Sequence, residues 1–141
     1  MSKDLSRHIS SFVILGAFLV LAFGSTDTDR DTQEVQSQAP SYTLSANQLY
    51  SEYDSNEVAA DSKYDGEVVI VTGTIQDIGK DVMDDAYITI GGSGFLDGVQ
   101  CTFTESEESS VSRLSRGQQV RVKGEVSGKM GNVLVDKCSL Q

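Results

Sequence analysis

Histidine is nearly missing from this chain, and its single copy, His8, precedes a long apolar segment. The remainder has no imidazole, which excludes Ser/His and Cys/His nucleophilic catalysis and most zinc sites. Basic residues are also scarce, since 11 Lys and Arg stand against 21 Asp and Glu, for a net charge of −10. An acidic surface repels phosphate backbones, whereas nucleic-acid-binding domains usually carry positive charge. The composition therefore argues against histidine-dependent enzymes and against nucleic-acid binding.

Large apolar residues are scarce in residues 25–43, which also contain the only proline, Pro40. Such a composition buries too little apolar surface to offset the entropy of ordering, and we predict a flexible polar linker. Aspartate at every second position from Asp27 resembles the start of a calcium-binding loop. Thr32 and Gln38 stand where that loop needs Gly and Glu, so no calcium site is expected there.

The first 24 residues have the pattern of an export signal, with a basic start followed by the uncharged run Phe12–Phe23. The small residues Ala22 and Gly24 predict cleavage before Ser25. The alternatives are an uncleaved anchor in the inner membrane, formed by residues 9–24, and a buried helix of the domain. A signal or an anchor would both place the chain from Ser25 onward outside the cytoplasm, in the periplasm or an equivalent compartment. No cysteine stands directly after the apolar run, which excludes diacylglyceryl attachment there.

Residues 44–141 are predicted to form one mainly β domain with a helical lead-in. Ser45 and Gln48 make a capping box that begins the lead-in helix, and Leu49 and Tyr53 share its apolar face. A short polar helix is expected within Glu105–Ser115. Five β-rich segments surround it: Glu67–Ile78, Ala86–Ile90, Gly98–Thr104, Gln119–Ser127 and Val133–Leu140. Three strands, a helix and two strands are the connectivity of an OB-fold, a five-stranded Greek-key barrel.

The third and fifth strands of such a barrel are neighbours, and each carries one of the two cysteines, Cys101 and Cys138. Both cysteines fall on the apolar face of their strand. We predict a disulfide in an exported protein, with two buried free thiols as the alternative.

The same domain resembles the tRNA_anti-like family of OB-fold domains. The resemblance rests on the block Ala46–Tyr64, on Val71-Thr-Gly-Thr-Ile75, and on the spacing of Leu114, Gly117, Val120, Val122 and Gly124. It covers about Leu44 to Gln141. The resemblance implies an OB-fold in an exported bacterial protein of unresolved function, and it supplies no catalytic residue.

OB-folds usually bind ligands on the face of their second and third strands, between the first and the last strand-connecting loops. This analogy gives eight candidate ligand-binding residues: Asp81, Asp84, Asp85, Tyr87, Thr89, Gln100, Thr102 and Lys129. The sequence suggests no catalytic residue, no metal ligand and no cofactor.

These observations favour an exported or membrane-tethered binding module without catalytic activity, whose partner is an envelope protein, a peptide, a glycan or a small molecule. The alternative is a nucleic-acid-binding OB-fold, which would need basic grooves and stacking aromatics. A cation site at Asp77, Asp81, Asp84 and Asp85 is a further hypothesis, but their spacing fits no known ligand pattern. Membrane contact is expected only through the N-terminal segment, if it is not cleaved.

Overall fold

The computed structural model describes residues 27–94 and 96–141 of the 141-residue chain. The predicted signal or anchor, residues 1–24, lies outside the described residues and stays a prediction. Within the described ranges, no helix combines the length and hydrophobicity needed to span a bilayer.

The described chain forms a closed barrel with helices on its N-terminal side. The elements are α1 (Asp27–Ser37), β1 (Tyr42–Ser45), α2 (Ala46–Ser55), α3 (Glu57–Tyr64), β2 (Val68–Lys80), β3 (Ala86–Ile90), β4 (Val99–Phe103), a 3₁₀ turn (Glu105–Glu107), α4 (Glu108–Val111), β5 (Gln119–Met130) and β6 (Asn132–Leu140). Strand order around the barrel is β2-β3-β4-β6-β5, and β5 returns to pair with β2. The pairing of β4 with β6 is parallel, and the other barrel pairings are antiparallel. This topology confirms the predicted OB-fold.

The long strand β2 belongs to both halves of the barrel. Its first half pairs with β5, and its second half pairs with β3 after a register shift between Ile75 and Asp77. A Cβ atom at Gly73 would lie 3.2 Å from the Ala46 Cβ atom. The absence of a side chain there lets the start of α2 approach the strand, two residues before the strand changes partner.

The first lead-in helix, α2, begins where its predicted cap places it, and α3 has a cap of the same kind. The Ser45 hydroxyl accepts a hydrogen bond from the Gln48 amide at 3.1 Å, and the Asn56 side chain caps α3 in the same way. Leu49 and Tyr53 are 0% and 1% exposed, so this face of α2 packs against the barrel as expected.

A helix occupies most of the segment that the composition predicts to be a flexible linker. Val35 of α1 is buried, and the helix lies against β5 and β6. The Lys123 ammonium donates to the backbone carbonyls of Gln36 and Gln38, while the Gln36 side chain donates to the carbonyls of Lys123 and Lys137. Polar contacts between distant parts of the chain thus hold a helix that buries little apolar surface.

The helix between β4 and β5 is shorter than the sequence suggests. Instead of extending across Glu105–Ser115, it consists of a 3₁₀ turn and four α-helical residues, Glu108–Val111. Val111 is its one buried side chain. Val111 joins the hydrophobic core of the barrel, and α4 packs against β3.

Candidate binding face

Four of the predicted ligand-binding residues lie side by side on β3 and β4. The register pairs Tyr87 with Thr102 and Thr89 with Gln100. Because side chains alternate along a strand, these four residues occupy the outer face of the barrel. Tyr87, Gln100 and Thr102 are partly exposed, whereas Thr89 is only 4% exposed. Thr89 therefore belongs to the floor of the face and offers a ligand little area.

The face continues onto β2, where a carboxylate and a guanidinium form its edge. Asp77 pairs with Thr89 in the sheet and accepts a hydrogen bond from the Tyr87 hydroxyl at 3.1 Å. Its other carboxylate oxygen accepts from Arg116, whose side chain is 70% exposed. Burial and the Asp77 carboxylate raise the pKa of Tyr87 above its ordinary value of 10.0. The tyrosine is therefore a neutral hydrogen-bond donor at physiological pH.

A groove of about 300 Å³ lies beside this carboxylate–guanidinium pair. Its lining comes from β2, from β3, from the loop after β3 and from the loop before β5. The residues are Gln76, Asp77, Thr89, Ser93, Gly94 and Arg116. The groove therefore offers a ligand one cation, one anion and several neutral polar groups.

The loop after β3 is shaped by Asp97. Its carboxylate accepts from the Ser93 and Gly94 amides at 3.0 and 2.7 Å, and these hydrogen bonds lower the pKa of the carboxyl. The Asn47 side chain of α2 accepts from the Gly92 amide at 2.8 Å and so ties the loop to the lead-in helix. These bonds fix the loop as one wall of the groove.

The acidic turn between β2 and β3 lies at one end of the face. The Asp81 carboxylate accepts from the Met83 and Asp85 amides, at 2.8 and 3.0 Å, and so shapes the turn. Asp84 has a positive φ of 67° and pairs with Lys80 at 3.3 Å. The structure therefore gives Asp81 a role in the turn, while Asp84 and Asp85 remain available to solvent.

Lys129 lies near the end of β5, where it pairs with Val133 of β6. Val133 also pairs with Val99, the first residue of β4. Its ammonium sits 5.5 Å from the centre of the Tyr50 ring on α2. This contact directs Lys129 toward the lead-in helix.

The two cysteines are free, buried thiols in the structure, so the predicted disulfide is not formed there. The neighbouring strands β4 and β6 bring them together, because Phe103 pairs with Cys138 and Cys101 pairs with Val135. Burial raises the pKa of the Cys138 thiol well above its ordinary value of 9.0, and the adjacent Cys101 adds to the effect. Both thiols are poor nucleophiles in the folded domain.

No group of three or more potential metal ligands occurs within residues 27–94 and 96–141. Asp77 and Asp81 of the cation-site hypothesis are already used by Arg116 and by backbone amides of the turn.

In the sequence, Asp77 was considered only as part of a hypothetical cation site, and Arg116, Ser93 and Gly94 were not candidates. Arg116 reaches the face because two backbone hydrogen bonds, Gly117 to Ile75 and Ile75 to Gln118, dock the loop before β5 onto β2. Such a contact joins residues about forty positions apart, and strand periodicity cannot reveal it.

Comparisons with known families and solved structures support the fold. The model of the tRNA_anti-like family matches residues 4–139. The chain belongs to the tRNA_anti-like family. No curated protein matches its sequence.

Solved structures share the fold of this tRNA_anti-like protein at low sequence identity. One is a lipoprotein from Klebsiella pneumoniae subsp. pneumoniae MGH 78578, to which nucleic-acid binding has been provisionally attributed. It has 22% identity and a TM-score of 0.60, and the match covers 77% of this chain and 96% of that one. Another is the OBody NL8 bound to hen egg-white lysozyme, with 18% identity, a TM-score of 0.39, and coverage of 52% and 91%.

Proposed function

We propose that this protein is an exported binding module without catalytic activity, and that its partner binds the outer face of β3 and β4. The observation that carries the proposal is the continuous polar face made by Tyr87, Thr89, Gln100 and Thr102 with its Asp77–Arg116 edge. Ligand sites are typically concave surfaces with a few convergent polar groups, and the groove beside this edge has that character.

Export is supported by the pattern of the first 24 residues and by the lipoprotein nature of the Klebsiella protein. No cysteine stands directly after the apolar run, so the tether would be the polypeptide itself. In an oxidising compartment, Cys101 and Cys138 would form their disulfide before the barrel closes over them. Two thiols would then lose two protons and two electrons to an oxidised thiol–disulfide oxidoreductase.

The experiment is site-specific photo-crosslinking in the exporting cell, with the full chain carrying a benzophenone side chain in place of Gln100. The control carries it in place of Val58, which is 78% exposed and lies on α3. We expect an adduct at Gln100 and none at Val58. Equal adducts at both positions, or none at Gln100, would contradict the proposal.

Nucleic-acid binding is the second candidate, favoured by the name of the Klebsiella protein and by the exposed Arg116 next to Tyr87. The carboxylates at the same edge and the acidic turn oppose it, because they repel phosphates. Fluorescence anisotropy with a labelled oligothymidine and a labelled oligouridine tests it. Binding that weakens with salt and disappears in Arg116→Gln would establish this candidate, while no binding at low salt would eliminate it.

A further inference from the structure

An apolar slot lies between the short helix α4 and the β2–β3 hairpin. The slot has a volume of about 260 Å³. Its floor includes Ile78 and Ala86 from the hairpin and Val111 from α4, and Lys80, Glu108 and Ser112 stand at its edges. A helix of four residues cannot cover the whole barrel end, which explains why an apolar opening remains.

The slot runs directly into an acidic pocket. Ala86 and Glu108 line both cavities, and the second one, of about 210 Å³, adds Asp84, Asp85 and Glu105. Lys80 neutralises part of this charge by pairing with Glu108 at 2.8 Å and with Asp84 at 3.3 Å. Within the described part of the chain, no cationic side chain pairs with Asp85 or Glu105. Two carboxylates beside an apolar slot therefore remain open to an external cation.

Exposed apolar side chains flank the same opening. Val82 and Met83, at the tip of the β2–β3 turn, are 102% and 77% exposed, and Met83 also lines the acidic pocket. Exposed apolar groups beside charged groups are typical of surfaces that bind another protein, and methionine adapts readily to different partners.

We infer that this slot docks a segment of a partner polypeptide in which an apolar side chain is flanked by Arg or Lys. The apolar side chain enters between Ile78, Ala86 and Val111, and the cation lies between Asp85 and Glu105. Charge favours a basic polypeptide over the other possible occupants. The phosphates of a nucleic acid would be repelled by the carboxylates of Asp85 and Glu105. A second copy of this chain would bring another acidic surface, since residues 44–141 carry 16 acidic and 8 basic side chains.

The slot lies on the opposite side of the β2–β3 hairpin from the proposed binding face, and both border the acidic turn that joins the two strands. Residues 78, 80 and 86 alternate with Asp77 and Tyr87 in the paired strands, so these two sets of side chains point to opposite sides of the hairpin. The inference goes beyond the proposed function, and each can fail alone.

Disulfide tethering tests the inference on the full chain, because it detects weak ligands next to an introduced thiol. Ser112→Cys places the thiol at the slot, and Ser109→Cys places it at an exposed position of α4 outside the lining. The unsubstituted chain is the blank, since both native cysteines are buried. Each protein is incubated with excess 2-mercaptoethanol and peptides bearing a cystamine disulfide, and labelling is read by intact mass. The exchange joins the protein thiol to the peptide and releases cysteamine, without net oxidation.

Three matched peptides separate the two recognition elements. The first is Gly-Arg-Leu-Arg-Gly, the second replaces Leu with Gly, and the third replaces both Arg residues with Gln. We expect the first peptide to label Ser112→Cys about tenfold more than Ser109→Cys, and the other two to show a preference below about threefold. Adding Asp85→Asn and Glu105→Gln should reduce the preference for the first peptide to that lower level.

Three outcomes would overturn the inference. Equal labelling at both thiols would mean that the slot binds nothing. If the Leu-free peptide labelled Ser112→Cys over Ser109→Cys as strongly as the first peptide does, surface charge alone would explain the labelling. Full preference with the Arg-free peptide would indicate a purely apolar occupant such as an acyl chain.

Discussion

Lys123 is expected to control the docking of α1 on the barrel. Its ammonium donates to two backbone carbonyls of the α1 C-terminal region, Gln36 at 2.8 Å and Gln38 at 2.5 Å, and the residue is 8% exposed. The change Lys123→Met keeps the aliphatic stem and removes both donors. Hydrogen bonds from charged donors contribute about 1.5–3 kcal/mol each, but the freed carbonyls regain water because Gln38 is exposed.

The net loss of α1 docking energy is therefore expected to be about 2 kcal/mol, which raises the population of the undocked helix about 30-fold. Hydrogen exchange on the full chain measures this change directly. The Val35 and Gln36 amides should exchange about 30-fold faster, while the β2 amides that pair with β5 keep their protection.

The control is Arg121→Met, which lies two residues earlier on β5 at an exposed position. It should leave the exchange of α1 unchanged. Unaltered protection of α1 in Lys123→Met would refute the role of Lys123. An equal loss of protection in α1 and in the barrel would show that the helix and the barrel open as one unit.

Three further predictions concern the barrel itself. Gly124→Ala would place its Cβ atom 2.7 Å from the Asp136 carbonyl oxygen and 2.8 Å from Cys138 Sγ, and we expect a loss of about 3 kcal/mol, or roughly 10 °C in Tm. Gly66→Ala is the control: φ there is +77°, and the added Cβ atom would have no neighbouring atom within 4 Å, so we expect a loss of only about 1 kcal/mol. Equal losses for the two changes would be inconsistent with the packing around Gly124. In protein collected from the exporting cell without reductant, Cys101 and Cys138 should resist alkylation after unfolding until reductant is added; immediate labelling of the unfolded chain would show free thiols and would weaken the case for export. The pKa values of Tyr53, Tyr64 and Tyr87 are raised, chiefly by burial, so folding favours their neutral forms. The contribution of these tyrosines to stability is complete below the ordinary tyrosine pKa of 10.0 and is lost as the pH rises above it. Urea titrations should therefore show the free energy of unfolding falling from about pH 9 to about pH 11. A free energy of unfolding that stays constant over this range would contradict the burial of these hydroxyls.

Local sequence patterns account for the elements whose neighbours lie close in the chain. Ser45 and Gln48 predict the start of α2 because a cap and its partner are three residues apart. Alternation of apolar and polar residues predicts β3 with the bounds that the structure has. Three strands, a short helix and two strands then suffice to predict the barrel, including the parallel neighbours β4 and β6.

Contacts between distant residues explain what the sequence did not predict. Residues 27–37 carry few apolar side chains, and their helix depends on Lys123 and on the carbonyls of β5 and β6, about ninety positions away. Arg116 joins the binding face only because the loop before β5 hydrogen-bonds to β2. Strand alternation correctly predicts that Thr89 points to the outer face. Its burial beside the loop after β3 depends on a contact that strand alternation cannot reveal.

The most direct measurement of the central claim is the chemical identity of whatever crosslinks to the face at position 100. If the proposed partner is not a nucleic acid, the adduct formed by the chain with benzophenone in place of Gln100 should survive nuclease treatment unchanged in mass. An adduct that nuclease shortens to a nucleotide remnant would contradict this proposal and assign the face to nucleic acid.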